Sequence, residues 1–541
     1  MTAHTTQPDF PTEFDYIIVG GGAAGCVLAN RLSARSTLRV ALVEAGGPDN
    51  TPRIHVPAGT ISLYKSRKYT YQYYSTPQTH LDNRRIHVPR GRMLGGSSSM
   101  NSMIYIRGAR SDYDHWESLG CTGWGYDSVL KYFKRAEDNR LHQDPYFHGT
   151  GGELIVDEPR DPLDVSRLFI QAAEEVGLKE NTDFNGAQLE GVGIYNVTQK
   201  DGKRLSAYRA FVAPIRTRPN LHVLTGCRVV SLVTDGQSVQ GVTVEHGGQF
   251  HILRAHRETI LSAGAVGSPH LLMASGIGNA EELLESGVPV VANLPQVGRN
   301  LQDHIDGLVT LRSGSATTLG FSRASLGSVL PAPLRFLLGR KGWLTTNYVE
   351  AGGFASTRYA QGVPDVQFHF VPGYRSHRGR LFEWGHGFAL HTCVLRPHSR
   401  GSIRLTRDGS RNPEIDFNFL SDERDALVLL EGIKLARRIL RASAFDGIRG
   451  KEMAPVAAIQ SDAELMDYLR ASASTVFHPS GTCRMGSDEA SVLTPDLKVR
   501  GLKGLRVADT SIMPTLISGN TNAPTMMIGD KAADMVLSEL A

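Results

Sequence analysis

A glycine-rich turn near the start of the chain constrains the fold more than any other feature of the sequence. An apolar run at residues 15–19 leads into Gly20, Gly22 and Gly25, which have the G-x-G-x-x-G spacing, and a segment of helical composition follows. The first glycine allows the tight bend, the second lets the backbone approach a pyrophosphate, and the third lets the helix pack closely on its strand. The pattern predicts a strand–turn–helix unit whose helix N-terminus faces the phosphates of a dinucleotide.

An acidic residue stands where a dinucleotide site needs one. A second apolar run at residues 38–43 ends in Glu44, 19 residues after Gly25. A carboxylate at the end of the second strand can accept hydrogen bonds from the hydroxyl groups of a ribose. The alternative is an ordinary tight turn between strand and helix, with Glu44 at the surface.

The length and charge of the chain narrow the class of protein. Its 541 residues exceed the roughly 250 to 300 at which single cores stop growing, so we expect two domains or one elaborated α/β domain. There are 58 Lys and Arg residues against 54 Asp and Glu, a net charge of +4, and the basic residues are scattered, which argues against a nucleic-acid partner. Five cysteines without a C-x-x-C spacing suggest neither a disulfide framework nor a metal site, and a reducing cytoplasmic location fits them best.

The sequence shows no sign of a targeting or membrane-spanning segment. Residues 1–12 are polar and lack a basic cluster followed by an apolar stretch, so we expect a disordered tail rather than a signal peptide. No apolar run reaches the ~20 residues needed to cross a bilayer.

A second turn rich in glycine and serine lies within residues 89–105, where Gly95 and Gly96 precede three serines and Asn101. Such a turn presents many backbone N–H groups at one point, which suits an anion or the polar edge of a flat heterocycle. The tyrosine-rich residues 64–74 before it predict either a pocket lining or a half-buried excursion of the chain.

Several blocks of the sequence resemble the glucose-methanol-choline oxidoreductases, a family of flavoproteins that oxidise alcohols. They are the N-terminal glycine turn, residues 91–114, residues 264–278, and the C-terminal blocks at residues 476–486 and 518–525. The blocks are spread over nearly the whole chain and occur in the family's order. Within the family, the chain looks most similar to bacterial alcohol and choline dehydrogenase-like members.

The resemblance implies an α/β chain, α+β overall, with a Rossmann-like FAD-binding domain that is discontinuous in sequence. Residues 12–157, 221–304 and 461–541 would form this domain, the last part carrying the catalytic residues. Residues 158–220 would be a mixed connecting segment, and residues 305–460 a substrate domain built on an antiparallel sheet.

The pattern within the later part of the chain agrees with this division. Residues 364–370, 387–392 and 402–405 alternate apolar and polar side chains, which predicts a half-solvated antiparallel sheet. The amphipathic period of residues 425–440 predicts a packing helix without a catalytic role. Before them, residues 294–304 would close the return of the chain to the flavin domain.

The resemblance selects one histidine out of 19. Oxidising an alcohol needs a base for the hydroxyl proton while a hydride leaves the α-carbon, and a neutral imidazole with a pKa of about 6.5 can serve. The family position of this base is His478, and Asn520, 42 residues later, would hold the substrate oxygen as negative charge develops. Flavin reduction should then rise with pH through the imidazole pKa. Phe477, beside the base, is a candidate substrate contact.

The residues after Asn520 have two compatible interpretations. By resemblance, Thr521 and Asn522 lie near the pyrimidine edge of the flavin. The plainer interpretation is a helix N-cap before residues 523–528. Both can hold, because a helix N-terminus aimed at the flavin would stabilise negative charge there.

The FAD contacts implied by the resemblance lie in several short stretches, and Val229 among them would place its backbone near the adenine. They are Gly20, Gly22, Ala23, Ala24, Gly25, Glu44, Ala45, Arg92, Leu94, Gly95, Gly96, Ser97, Asn101, Met103, Val229, Ala263, Gly264, Ala508, Asp509, Thr521 and Asn522. Some family members attach FAD covalently through a histidine just before the asparagine of the glycine-serine block, where this chain has Met100. A thioether makes no such link, so we expect noncovalent FAD.

Residues 326–344 carry an apolar stripe. Leu330, Leu334, Leu337 and Leu338 recur at i, i+4, i+7 and i+8 beside a proline-containing helix start, and basic residues flank them. Such a stripe usually packs into the protein's own core. Alternatively, it covers the pocket of an alcohol with a large apolar body, or lies on an anionic membrane surface, where the protein would be peripherally associated and would reach a quinone.

The sequence therefore predicts an FAD-dependent alcohol dehydrogenase that converts a primary alcohol to an aldehyde and passes electrons to a quinone or another carrier. The alternatives within the family are an alcohol oxidase that reduces O₂ to H₂O₂, and a non-redox lyase-type member. A pyridine-nucleotide disulfide reductase would need a second G-x-G-x-x-G turn and a C-x-x-C pair, and the sequence has neither. An FAD-binding scaffold without catalysis would not need His478.

Overall fold

Two seven-stranded sheets organise the computed structural model, which describes residues 11–374 and 384–540. One sheet is mainly parallel and the other antiparallel, so the predicted fold class, a Rossmann-like α/β domain together with an antiparallel sheet, is confirmed. The five segment boundaries stay a prediction. The predicted N-terminal tail lies, up to residue 10, outside the described residues.

The first sheet has a parallel centre built from short apolar runs. In spatial order its strands are Leu221–Thr225, Val40–Glu44, Glu13–Val19, Gln249–Leu261, Ser238–His246 and Arg228–Asp235, and Leu505–Val507 pairs with the end of Gln249–Leu261. The first four run parallel, and the next two join antiparallel. Ile17, Ile18 and Leu42 are fully buried, which explains why the central strands read as continuous apolar runs.

Two helices from opposite ends of the chain pack against each other beside this sheet. Helix Ala23–Ser33 follows the glycine turn, and helix Asn522–Ser538 ends the fold. Their backbones approach closely at Gly529, where a Cβ atom would lie 2.6 Å from the carbonyl oxygen of Ala24. This contact brings the C-terminal sequence block beside the N-terminal turn.

The second sheet is antiparallel throughout. In spatial order its strands are Arg449–Ala454, Ile305–Ser313, His386–Val394, Val366–Val371, Ala351–Ala355 and Gly191–Ile194, and Ser474–Thr475 pairs with the start of Ile305–Ser313.

The prediction that this sheet is half-solvated is wrong. Its strands Val366–Val371 and His386–Val394 are buried along almost their whole length. Helix Glu423–Arg441 packs on one face, and the polar side chains of the other face, such as His369 and His391, line an internal cavity instead of meeting bulk water. The alternation of apolar and polar residues in these strands therefore reflects a polar cavity on one face of the sheet and not a solvent-exposed surface.

Two further predictions for this region had different outcomes. The packing helix predicted at residues 425–440 is confirmed as Glu423–Arg441. Ser402–Leu405, predicted as a strand of the large sheet, instead pairs with Pro413–Asp416 in a separate ribbon.

The remaining elements surround the two sheets. The other helices are Pro52–His55, Arg110–Ser118, Tyr126–Ala136, Asp164–Glu175, Gly264–Ala274, Ala280–Glu285, Leu326–Val329, Ala332–Gly339 and Asp462–Ser472. Short ribbons pair Thr70–Tyr74 with His87–Gly91, Glu137–Asn139 with Leu154–Val156, Gln199–Lys200 with Lys203–Arg204, and Ile277–Gly278 with Ala292–Asn293. Among residues 11–374 and 384–540, no helix combines the length and apolar character that crossing a membrane requires. The same residues contain no cluster of His, Cys, Asp or Glu side chains suited to a metal ion.

The apolar stripe of residues 326–344 lies on the surface of the protein. It forms helices Leu326–Val329 and Ala332–Gly339, and Leu330, Leu334, Leu337 and Leu338 are 74%, 59%, 68% and 80% exposed. The expectation that the stripe packs into the core is therefore wrong. Ala332 and Phe336 face the core instead.

Candidate active site

A cavity of about 780 Å³ is lined by residues of both sheets. Gly20 and Val43 of the first sheet region contribute to it, and so do Leu308 and His369 of the second sheet. The tyrosine-rich stretch supplies Tyr64, Tyr71 and Tyr73, so it is a pocket lining.

The N-terminal turn has the geometry that the glycine spacing predicts. Gly20 has φ +107°, which a side chain would strain, and a Cβ atom on Gly25 would lie 2.0 Å from the carbonyl oxygen of Gly20. At Gly22, by contrast, the nearest atom to a Cβ would be 3.8 Å away, so the backbone is open toward the cavity. No side chain caps the helix that begins at Ala23. Its first N–H groups are therefore available to an anion.

Glu44 is buried at the wall of the cavity rather than exposed. Its Oε2 accepts a hydrogen bond from Gly21 N at 2.9 Å, and its Oε1 accepts one from Gly46 N at 2.7 Å. Burial raises the pKa of this carboxyl to about 7, against the two backbone hydrogen bonds. Each oxygen keeps a lone pair that can accept from a ribose hydroxyl.

The glycine-serine block is held by an arginine that sequence reasoning missed. Arg204 is buried, and its Nη1 donates to the carbonyl oxygen of Ser98 at 3.1 Å and to Asn101 Oδ1 at 2.8 Å. Asn101 Oδ1 also accepts from Met103 N at 3.1 Å. Burial lowers the pKa of Arg204 to about 10. A lone arginine in a polar stretch gave no signal, because its partners lie about a hundred residues earlier.

Asp509, which follows strand Leu505–Val507, is hydrogen-bonded to the start of helix Gly264–Ala274. Its Oδ2 accepts hydrogen bonds from Gly264 N at 2.8 Å and from Ser268 Oγ at 2.6 Å, and its Oδ1 accepts one from Ser511 N at 2.8 Å. Burial raises the pKa of this carboxyl.

Most of the predicted site residues meet at the cavity. Its lining includes Gly20, Gly22, Ala23, Ala24, Glu44, Ala45, Gly96, Ser97, Asn101, Met103, Val229, Ala263, Gly264, Asp509, Thr521 and Asn522, together with Phe477, His478 and Asn520. The other five, namely Gly25, Arg92, Leu94, Gly95 and Ala508, are not part of that lining. Gly25 packs on Gly20, and Ala508 N donates to Leu261 O within the first sheet. The roles of all these residues stay predictions.

His478, the predicted base, lines the cavity. Its Nε2 is 3.3 Å from Asn520 Nδ2, and its Nδ1 is 3.0 Å from Nδ1 of His304. Burial lowers the pKa of His478 well below 6.5, and the neighbouring His304, His369 and Arg90 lower it further. The imidazole is therefore neutral at pH 7. Any increase of flavin reduction with pH should then occur at a lower pH than the sequence predicts.

Asn520 is oriented by a partner from the second sheet. Gln367 Nε2 donates a hydrogen bond to Asn520 Oδ1 at 3.0 Å, which leaves Asn520 Nδ2 as the donor that faces His478. His369, on the same strand as Gln367, also lines the cavity. Neither strand residue was a sequence candidate.

The turn that carries His478 is held in a strained form. Phe477 has φ +71°, and its ring packs on Tyr64 at a centroid distance of 5.7 Å. Arg90 Nη1 donates to Phe477 O at 2.9 Å, and Asp303 Oδ1 accepts from His478 N at 2.8 Å. Burial raises the pKa of the Asp303 carboxyl to about 7. Asp303 and His304 were predicted only as the end of a connecting segment.

Helix Asn522–Ser538 starts at the cavity, as predicted. Thr521 is its N-cap residue, but no side chain makes a capping hydrogen bond there. The free N–H groups of this first turn give a positive end beside Asn520.

The glycine turn, Glu44 and the cavity define the class of protein as a dinucleotide-binding α/β protein. The sequence profile of the GMC oxidoreductases matches residues 14–306 and 397–529. The chain therefore belongs to the GMC oxidoreductase family, and it is an oxidoreductase that acts on CH–OH groups. The resemblance stated from the sequence is confirmed.

Relatives are similar over nearly their whole length. The alcohol dehydrogenase (acceptor) of Pseudomonas putida is 43% identical over 530 residues, which is 97% of this chain and 96% of the relative. The oxygen-dependent choline dehydrogenase of Photobacterium profundum is 40% identical over 533 residues, 97% and 93% of the two chains. Among solved structures, pyridoxine 4-oxidase from Mesorbium loti has a TM-score of 0.87 at 31% identity and covers 97% of this chain and 99% of its own.

The cofactor is FAD, as predicted, and the residues present fit it. The helix N-terminus at Ala23 is uncapped, and the backbone at Gly22 opens on the cavity. The Nε of Arg92, a residue near Glu44, is buried without a hydrogen-bond partner in the described part of the chain. Met100 lines the cavity and has no atom that could link to the flavin, so FAD is bound noncovalently.

Proposed function

We propose that the protein oxidises a primary alcohol to the aldehyde with His478 as the base, and that the electrons pass to a membrane quinone. The observation that carries the proposal is the pair His478 Nε2 and Asn520 Nδ2, 3.3 Å apart at the wall of the FAD cavity. A neutral imidazole nitrogen and an amide donor so placed can both reach one alcohol oxygen.

The two side chains have separate tasks in the oxidation. His478 Nε2 takes the hydroxyl proton, and the electrons of the O–H bond form the carbonyl bond as a hydride leaves the α-carbon. Asn520 Nδ2 donates a hydrogen bond to the oxygen, which carries negative charge while both hydrogens depart. Bound FAD supplies the two-electron acceptor for the hydride. Because His478 is already neutral at pH 7, no proton has to leave it first.

Two other functions remain candidates. The name of the Mesorbium loti neighbour, pyridoxine 4-oxidase, supports an oxidase, and the name of the Photobacterium profundum relative, oxygen-dependent choline dehydrogenase, supports O₂ as the acceptor. The name of the Pseudomonas putida relative, alcohol dehydrogenase (acceptor), supports electron transfer to an acceptor. A lyase-type member would bind FAD without reducing it in turnover.

Anaerobic mixing of the purified yellow protein with a panel of alcohols tests the chemistry. Primary alcohols should bleach the flavin absorbance, and a quinone analogue should restore it faster than O₂. In His478→Ala, FAD should remain bound while bleaching slows by about 10² to 10⁴. His256→Ala is the matched control, because this exposed histidine, 63% accessible, should leave the rate unchanged.

Each alternative has its own outcome in this experiment. Bleaching of His478→Ala at the parent rate would remove His478 from the role of base. Reoxidation by O₂ as fast as by the quinone analogue would favour the oxidase. If no alcohol bleaches the flavin, the lyase-type function is favoured.

The exposed stripe of residues 326–344 supports the membrane part of the proposal. Leu334, Leu337 and Leu338 project from a helix of eight residues, and Arg335 and Lys341 beside them are exposed. An apolar face flanked by basic residues is complementary to an anionic lipid surface. We propose an anionic lipid surface as the partner of this apolar face, because a neutral apolar partner would not need the flanking basic residues.

Flotation with anionic liposomes tests this contact. Leu334→Glu with Leu338→Glu should abolish co-flotation and change the free energy of unfolding by no more than about 0.5 kcal/mol, since both side chains are exposed. Phe336→Ala, on the buried face of the same helix, should instead lose about 3 kcal/mol. Equal flotation of the double variant and the parent would contradict the contact.

A further inference from the structure

His304 contacts the proposed base, His478, at the ring nitrogen that does not face Asn520. It is fully buried, and its Nδ1 lies 3.0 Å from Nδ1 of His478, with the two ring planes at 86°. At that distance the two nitrogens share one hydrogen bond, so only one of them carries the proton.

A backbone carbonyl decides which nitrogen carries it. His304 Nε2 lies 3.1 Å from Ile517 O, and a carbonyl oxygen only accepts, so Nε2 of His304 must be protonated. Burial lowers the pKa of His304 to about 3, so its ring is neutral and its Nδ1 has a bare lone pair. His478 Nδ1 therefore donates to His304. This leaves His478 Nε2 bare, facing the donor Asn520 Nδ2 at 3.3 Å.

The segment that carries His304 also fixes the backbone around His478. Asp303 Oδ1 accepts from His478 N at 2.8 Å. Gln302 and Ser480 exchange backbone hydrogen bonds, at 3.0 Å from Gln302 N and 2.9 Å from Ser480 N. Ring and backbone of the base are thus both held by three consecutive residues of another part of the chain.

We propose that His304 is a positioning residue that selects the tautomer of His478, keeping its Nε2 free to take the alcohol proton. The inference rests on the proposed role of His478 for its catalytic consequence, although the tautomer can be measured without catalysis. The competing explanation is that His304 only fills the core. The imidazole–carbonyl geometry favours selection, since a space-filling side chain needs no polar partner at either nitrogen.

Two substitutions separate selection from packing. His304→Asn keeps an amide oxygen near the position of Nδ1, so it can still accept from His478. His304→Gln keeps an amide nitrogen near the position of Nε2, so it can donate to Ile517 O but presents no acceptor to His478. We expect the limiting rate of anaerobic flavin reduction to fall about 100-fold in His304→Gln and less than about 10-fold in His304→Asn. The alcohol concentration that half-saturates the rate should change little in either.

The second readout is the ¹⁵N spectrum of histidine ring nitrogens in the FAD-loaded protein, with His478→Ala supplying the assignment. The parent and His304→Asn should show His478 protonated at Nδ1, and His304→Gln should show protonation moving to Nε2. Parent-like rates and spectra in His304→Gln would overturn the proposal, and so would equal losses in both variants with an unchanged tautomer. If His478→Ala reduces normally but the tautomer still follows residue 304, the proposed function fails while the selection stands.

Discussion

The two walls of the cavity are built in different ways. The dinucleotide wall consists largely of backbone, at the turn of Gly20 and Gly22 and at an uncapped helix N-terminus. The wall with the proposed catalytic residues, the catalytic wall, consists of side chains. His478 and Asn520 are linked to each other, and His478 to the buried His304, by hydrogen bonds across distant parts of the chain. The first wall depends on local conformations, whereas the second exists only after the chain has folded.

Burial acts on both walls by the same rule with opposite signs. It raises the pKa of Glu44 to about 7 in the dinucleotide wall and lowers the pKa of His478 well below 6.5 in the catalytic wall. In each case burial stabilises the neutral form of the side chain relative to the charged form, because a charge is disfavoured away from water.

The largest expected effect tests whether the dinucleotide wall depends on the lack of side chains at its glycines. Gly25→Ala would place a methyl group 2.0 Å from Gly20 O, so the free energy of unfolding should fall by about 3 kcal/mol or more. Gly22→Ala meets no atom within 3.8 Å and has an ordinary extended backbone, so stability should stay within about 0.5 kcal/mol while bound FAD is lost more readily. Chemical denaturation and FAD fluorescence on dilution measure the two effects. Firm FAD retention in Gly22→Ala would break the comparison.

An intermediate effect is expected in the catalytic wall. Asn520→Ala removes the proposed donor to the substrate oxygen but keeps the imidazole, so flavin reduction should slow about 10²-fold, less than in His478→Ala. FAD content and melting temperature should match the parent, since the change lies in side-chain chemistry alone. Stopped-flow absorbance gives the rate. A loss of FAD with the rate would show that the two walls are not separable at this residue.

The smallest expected effect is in the pH dependence of the flavin reduction rate. The parent reduction rate should be constant from about pH 6 to 8 and fall only in more acid solution, because the proton that blocks His478 binds below its ordinary pKa of about 6.5. His304, His369 and Arg90 act on the His478 ring, and Asp303 accepts a hydrogen bond from its backbone N. Of these groups only Asp303 has a pKa near the window, about 7, since burial lowers the pKa of His304 and His369 to about 3. Asp303→Asn should leave the profile flat. A rise near pH 6.5 that persists in Asp303→Asn would contradict the lowered pKa of His478.

Sequence patterns predicted the elements better than their surroundings. Helix Glu423–Arg441 and the βαβ turn were foreseen because periodicity and glycine spacing are local properties. The half-solvated sheet and the buried stripe were wrong, since a period tells which side chains share a face and not what covers that face. The polar face of strand Val366–Val371 meets a cavity, and the apolar face of helix Ala332–Gly339 meets solvent.

The sequence by itself determined the dinucleotide turn, the acidic residue at the end of the second strand and the family, because steric limits on Gly20 and Gly25 and the spacing to Glu44 are written along the chain. It also pointed to His478 and Asn520 by position in that family. Only the tertiary structure decided what surrounds His478, the proposed base. His304 and Gln367 lie 174 and 111 residues before His478, and hydrogen bonding and burial act through space. The lowered pKa of His478 and the proposed selection of its tautomer therefore have no signature in its neighbouring sequence.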